Sequence, residues 1–149
     1  MPSTGNPIVV ARVAAVRQPA AGAHAFNRLC RERWLRTALV AEPALVGLVD
    51  LRPIDPLPPR ASLLDVCAAP ALGTDVDGST VLVMASAGID PGLAVSTSAI
   101  AQREDPRRIV VALPSRDRLA PIERLLTRLR WPVEMVGIAP PWSDRPPLR

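Results

Sequence analysis

Residues Val76–Pro114, VDGSTVLVMASAGIDPGLAVSTSAIAQREDPRRIVVALP, decide the predicted fold. Two apolar runs, Val81–Met84 and Ile109–Leu113, have the length and flanks of buried strands. Between them lie a loop that contains glycine and a helix-like segment, Leu93–Arg103. Asp90 and the proline after it form a start signal for that helix, because aspartate caps exposed N–H groups and proline is tolerated in a first turn. The stretch therefore predicts a strand, a crossover helix and a parallel strand.

The rest of the chain repeats the alternation of strand and helix. Further strands are predicted at Pro7–Val16, Ala44–Leu51 and Val133–Ala139, and further helices at Gly22–Ala41 and Asp117–Arg130. Four prolines in Arg52–Arg60 predict an irregular loop, because each proline removes a backbone donor. Ala61–Ala69 fits either a short helix or a strand. The alternation favours a three-layer α/β domain with a mainly parallel sheet of about five strands.

Composition is that of a single globular domain. The 149 residues are 48% apolar, and we expect one domain over 1–149 that ends in a proline-rich tail over 140–149. No apolar stretch approaches the ~20 residues that span a bilayer, and no signal sequence is recognisable, so we expect a cytoplasmic protein without membrane contact. All 18 basic residues are arginines spread among 14 acids, and 3% of residues are aromatic, which disfavours nucleic acid as a partner.

Few side chains suit catalysis or metal binding. His24 is the only histidine, which excludes a metal site built from paired histidines. Cys30 and Cys67 have no CxxC spacing and are interpreted as buried thiols rather than a disulfide framework. Neither a GxxxxGK[ST] loop nor a GxSxG elbow occurs. We expect no metal site, and the sequence identifies neither a cofactor nor a catalytic residue.

Polar residues follow the predicted strands at one end of the sheet. Ligands of parallel α/β sheets bind beyond the carboxyl ends of the strands. Asp50 and Arg52 lie at the carboxyl end of the second predicted strand. Backbone N–H groups at the start of the helix near Pro91 would face an anion, and a hydroxyl and a guanidinium after the next strand could add to them. The predicted ligand-binding residues are Ser86, Gly88, Asp90, Gly92, Ser115 and Arg116.

Two segments carry a resemblance to a known family. Asp75–Met84 with its following loop and helix, and Arg107–Pro114, resemble the core of a type I phosphoribosyltransferase, in which a strand like VILVDDG precedes a phosphate loop like ATGAT and a strand like VVVAVP. Val133–Trp142 resembles the next strand and loop of that family. The resemblance covers about half of the chain and implies a phosphoribosyltransferase-like or Rossmann-like fold.

The same alignment shows where the chain departs from the family. The two acids that the family uses on the ribose of phosphoribosyl pyrophosphate fall at Ala85 and Ser86, and its phosphate-loop threonines fall at Asp90 and Leu93. Alanine supplies neither a carboxylate nor a hydroxyl. The resemblance therefore implies a member that has lost transferase chemistry.

Three functions remain open on this basis. The leading hypothesis is a phosphoribosyltransferase-like domain that keeps a binding role, for an anionic or phosphorylated small molecule or for a protein. The first alternative is a diverged α/β enzyme that acts on a phosphorylated small molecule. The second is an interaction module in which Arg28, Arg31, Arg33 and Arg36 dock on an acidic protein or on nucleic acid.

The tail provides one prediction about assembly. Trp142 lies in a Pro-Pro-Trp segment that cannot form regular structure by itself. An exposed indole would leave apolar area in water, so we expect Trp142 to pack on its own domain or on a second subunit. A homodimer contact is the favoured form.

Overall fold

The computed structural model of the protein describes residues 30–62 and 65–139. Three helices and five strands follow one another as α1 (Arg31–Ala41), β1 (Asp50–Pro53), β2 (Ala69–Thr74), β3 (Thr80–Ala85), α2 (Leu93–Glu104), β4 (Arg108–Leu113), α3 (Ala120–Leu126) and β5 (Val133–Gly137). Short 3-10 turns occupy Pro43–Val46 and Ser115–Asp117. The predicted strand Pro7–Val16, the first part of the predicted helix Gly22–Ala41, His24 and Trp142 lie outside the described residues. The predicted homodimer contact of Trp142 therefore stays a prediction.

The five strands form one mixed sheet in the order β1-β2-β3-β4-β5. β1 pairs with β2 and β2 with β3 in antiparallel fashion, whereas β3 with β4 and β4 with β5 are parallel. The prediction of a mainly parallel sheet, as in a phosphoribosyltransferase-like or Rossmann-like fold, is therefore wrong. Among the described strands the order never reverses, so this part of the sheet has no point of reversal, where ligands of doubly wound folds bind.

The error has its source in two segments before β3. The predicted strand Ala44–Leu51 is mostly exposed and contains a 3-10 turn, and Gly47 at φ 72 breaks the extended course of the backbone. The strand in this region is Asp50–Pro53, so β1 takes the first residues of the predicted proline-rich loop. β2 was missed because its sequence, APALGT, combines a proline and a glycine with few residues that favour strands.

A tight turn joins β2 to β3. Gly78 has φ 83, and its N–H group donates to the carbonyl oxygen of Asp75 at 2.9 Å. Asp77 Oδ1 accepts from the N–H group of Ser79 at 2.9 Å. The turn at Asp77 and Gly78 thus closes an antiparallel hairpin between β2 and β3.

The unit from β3 to β4 follows the sequence closely. α2 begins at Leu93 as predicted and ends at Glu104, where Asp105 takes a left-handed conformation at φ 47 ahead of a proline. α3 is much shorter than the predicted helix Asp117–Arg130. At its start, Asp117 belongs to a 3-10 turn rather than to the helix, and its carboxylate accepts from the N–H group of Gly88 at 2.7 Å.

Helices cover both faces of the sheet. On one face, α1 packs through Trp34, Leu35 and Leu39 on the sheet residues that point toward this helix. On the other face, α2 and α3 pack through Leu93, Ile100 and Leu126. Successive residues of β3 and β4 point to opposite faces and are buried on both, which is why these strands are continuous apolar runs. Among the described helices, none has the length and apolar character needed to cross a membrane.

Candidate functional site

The carboxyl ends of four strands meet at one end of the sheet. β1 runs in the same direction as β3, because β2 is antiparallel to both, and β3, β4 and β5 are parallel. The ends of these strands therefore lie beside the start of β2. All six predicted ligand-binding residues follow β3 or β4 at this end.

Carboxylates of the chain itself engage the N–H groups of the predicted loop. Gly88 at φ 79 donates to Asp117 Oδ2, and Gly92 donates to Asp90 Oδ1 at 2.9 Å. The side chain of Ser86 is buried, and its N–H group donates to the carbonyl of Ala112 at 2.9 Å. Two of the donors that the sequence assigned to an anion thus already have an anionic acceptor.

Asp90 is the buried acid of this loop. It is 6% exposed, and its carboxylate accepts from the N–H groups of Gly92 and Ala68. Desolvation raises the pKa of Asp90, and the two N–H groups oppose that rise. Asp90 therefore joins the start of α2 to the start of β2.

Ser115 and Arg116 lie in the turn after β4, and both are exposed. The hydroxyl of Ser115 lies over Gly137, where an added Cβ atom would collide with it. Arg116 Nε is 3.9 Å from Asp117 Oδ1. The structure thus brings the six residues to one end of the sheet, and their role in ligand binding stays a prediction.

Sequence reasoning missed a buried cluster beside this loop. Glu32 on α1 is 6% exposed, and its Oε2 atom lies 3.9 Å from Arg60 Nη1. Its Oε1 atom accepts from the N–H group of Cys67 at 3.4 Å. Arg60 also donates to the carbonyls of Ser62 and Asp65, at 2.8 and 2.7 Å. The cluster ties the connection between β1 and β2 to α1.

Cys67 is the thiol at this cluster. It is half-buried, and Cys30 is buried, with no disulfide between them. Burial raises the pKa of the Cys67 thiol, while the charge of Arg60 acts in the opposite direction. A thiol with a raised pKa stays protonated at neutral pH and is a poor nucleophile.

A cavity of about 200 Å³ opens at the same place, which we call the arginine pocket. It lies between α1, the end of β1 and the start of β2. Its lining is three arginines, one acid, one thiol and apolar walls: Arg33, Arg36, Arg60, Asp55, Cys67, Ile54, Pro56, Ala68, Ala69 and Pro70. A signal in the sequence was the spacing of Arg33 and Arg36, which places both on one side of a helix.

Arg36, which lines this pocket, replaces a missing backbone donor. Ile54 donates to the carbonyl of Pro70 at 3.2 Å, so a backbone N–H at position 70 would face the carbonyl of Ile54. Proline has no such group. Arg36 Nη1 donates instead to Ile54 at 3.2 Å and to Pro70 at 3.0 Å, and this fixes the guanidinium at the edge of the pocket.

No cluster of three or more histidine, cysteine, aspartate or glutamate residues that could hold a metal is present within residues 30–62 and 65–139.

Comparison with known proteins identifies no family. No family model matches the chain, and no curated protein matches it. Among solved structures, the chain is similar to EndoMS in its apo form, with 16% identity and a TM-score of 0.46, over 73% of this chain and 47% of that chain. The chain spans about half the length of that protein, and a likeness of this size supports no conclusion about function.

Proposed function

We propose that the chain is a binding domain for a small anion, which is held in the arginine pocket. One observation carries the proposal: three guanidinium groups line a cavity of about 200 Å³, and among its described lining residues Asp55 is the only acid, while Glu32 lies behind Arg60. A guanidinium matches the geometry of a phosphate or carboxylate and forms short, charge-assisted hydrogen bonds with it.

The arginines differ in what holds them. Arg36 is bonded to two backbone carbonyls, and the side chain of Arg60 is 5% exposed and near Glu32. Arg33 is half-buried and forms no ion pair with another residue of the described part of the chain. Two guanidinium groups are thus held in place before a ligand arrives, which lowers the entropy lost on binding. Arg33 supplies the charge that is open to a ligand.

The size of the pocket limits the ligand. Pockets for drug-sized molecules have about 300–1,000 Å³. A cavity of about 200 Å³ accepts a phosphate group or a small carboxylate with few further atoms. The first expectation is therefore an anionic group rather than a whole nucleotide.

The pocket favours binding over catalysis. Among its described lining residues the one nucleophile is Cys67, whose raised pKa keeps it in the thiol form. Membership of the phosphoribosyltransferase family stays a prediction. Of the function that this resemblance implies, we retain the recognition of an anionic or phosphorylated small molecule. Arg31, Arg33 and Arg36 of α1 are all half-buried, whereas Arg28 of the predicted arginine-rich helix lies outside the described residues, so docking of this helix on a macromolecule stays a prediction.

Calorimetric titration of the full chain with inorganic phosphate and with acetate at constant ionic strength tests the proposal. We expect saturable binding of at least one of them, and a loss of about 10-fold in affinity for Arg33→Gln, because one charge-assisted contact is worth about 1.4 kcal/mol or more. Arg107→Gln is the matched control, since Arg107 is exposed and lies at the opposite end of the sheet. The proposal would be overturned if neither anion bound at about 10 mM, a concentration at which even weak binding is detected. It would also be overturned if Arg33→Gln and Arg107→Gln lost affinity equally.

A further inference from the structure

A second cavity adjoins the arginine pocket across the end of β1. Its volume is about 330 Å³, and it is lined by Arg52, Pro53, Ile54, Asp55, Arg103 and Glu104. Ile54 and Asp55 line both cavities. The two cavities are therefore separated by the width of one chain segment.

The two cavities open on opposite sides of the sheet. The arginine pocket faces α1, whereas the second cavity includes Arg103 of α2, which packs on the other face. β1 lies at the edge of the described sheet and ends at Pro53. A small molecule that lies across the end of β1 can thus reach both cavities around this edge.

The second cavity has its own open positive charge. Arg52 is exposed and forms no ion pair within the described ranges. Arg103 is held in place, because its Nε atom lies 2.6 Å from Glu104 Oε1 and its Nη2 atom donates to the carbonyl of Asp55 at 2.7 Å. Arg33 in one cavity and Arg52 in the other are therefore two separate sites for negative charge.

We propose that the ligand carries two anionic groups, one near Arg33 and one near Arg52, joined by an uncharged spacer that passes Asp55. The inference rests on the proposed function of the arginine pocket. Asp55 is exposed between the two cavities, and its carboxylate accepts hydrogen bonds but repels anions. The spacer therefore bears hydroxyl groups rather than charge, and the ligand class is a polyol with a phosphate at each end.

Competition between monophosphates and bisphosphates tests this inference. The probes are inorganic phosphate, mannitol phosphorylated at one end, and erythritol and mannitol each phosphorylated at both ends, titrated at constant ionic strength. Two simultaneous contacts raise affinity without any new type of contact. We expect at least one bisphosphate to bind about 10-fold more tightly than mannitol monophosphate, which corresponds to about 1.4 kcal/mol.

Variants distinguish this inference from the proposed function of the arginine pocket. Arg52→Gln should remove the gain of the bisphosphate and leave the affinity for inorganic phosphate unchanged. Arg33→Gln should weaken both, and Arg107→Gln should alter neither. If both bisphosphates bind no better than the monophosphate, or if Arg52→Gln keeps the gain, the two-site ligand is wrong while the arginine pocket stands. If inorganic phosphate and the monophosphate fail to bind, the two-site ligand is wrong, and the arginine pocket is wrong as well if acetate also fails to bind.

Discussion

Replacing Arg36 by methionine should destabilise the protein strongly, because the guanidinium supplies a hydrogen bond that the backbone cannot. Arg36 Nη1 donates to the carbonyls of Ile54 and Pro70, at 3.2 and 3.0 Å. Methionine keeps an apolar stem of similar length and removes the donors. The carbonyl of Ile54 would then face a proline nitrogen that has no hydrogen.

The size of the effect follows from these contacts. A hydrogen bond that involves a charged group contributes about 1.5–3 kcal/mol, and the two bonds here share one nitrogen and are partly buried, so we expect a loss of about 2–4 kcal/mol. With a urea slope of about 2 kcal/mol/M for a domain of this size, the midpoint of unfolding falls by about 1–2 M. Arg36→Lys should lose less than Arg36→Met, since an ammonium can still donate to one carbonyl.

Urea unfolding followed by far-UV circular dichroism and by tryptophan fluorescence measures the effect. Trp34 lies on the same helix and is 3% exposed, so its emission reports on this region. Arg107→Met is the control and should stay within about 0.5 kcal/mol of the wild type. Pro70→Ala restores a backbone N–H group opposite Ile54, so adding it to Arg36→Met should recover part of the loss. Equal midpoints for Arg36→Met and Arg107→Met would refute the reasoning.

Three further predictions concern the fold and the site. Gly137→Ala should lower stability by about 1–3 kcal/mol because the new methyl group meets the hydroxyl of Ser115, and Ser115→Ala in the same chain should relieve part of that loss in a urea titration. Burial raises the pKa of Asp90, so the ionised form is disfavoured by the fold, and the wild type should gain stability relative to Asp90→Asn as the pH falls from about 7 to about 4; an unchanged difference in urea midpoints would contradict this. Ile100→Ala removes a fully buried side chain and should cost about 2–5 kcal/mol, whereas Val95→Ala on the exposed side of the same helix should cost under about 0.5 kcal/mol by thermal unfolding.

The unit from β3 to β4 could be predicted because its signals are local. Continuous apolar runs mark the two strands, and Asp90 and Asp105, each followed by a proline, mark the ends of the helix between them. These signals depend on residues close in the chain. The direction in which strands pair depends on residues far apart in the chain. The composition of Ala69–Thr74 does not indicate its antiparallel pairing.

β2 tolerates Pro70 for a reason that only the fold supplies. The donor that a central strand would need at this position comes from Arg36, which lies 34 residues earlier. A proline inside a segment counts against a strand when the segment is considered alone. The sequence rule failed here because it takes no account of a side chain that arrives from another element.

The sequence predicted the position of the candidate loop in the sheet better than it predicted the partners of its N–H groups. The loop lies at the carboxyl end of β3 as predicted, yet the partners of its N–H groups come from distant residues. Asp117, 29 positions after Gly88, accepts a hydrogen bond from the N–H group of that glycine and lies outside α3. Beside the arginine pocket, Arg60 lies 3.9 Å from Glu32, although a connection rich in proline separates Arg60 from α1 in the sequence. Spacing in the sequence does not predict this contact.

The sequential strand order also bears on how the chain folds. Within the described part of the chain, each strand of the sheet pairs only with the strands before and after it in sequence. The hairpin closed at Asp77 and Gly78 needs the shortest loop, so we expect it to form first and to serve as the template on which β1 and β4 are added. Mixed α/β domains with a relative contact order of about 0.12–0.17 fold at rates between those of helical bundles and β-sandwiches. Mutations in this hairpin should therefore slow folding, whereas mutations in β5, at the other edge of the described sheet, should mainly speed unfolding.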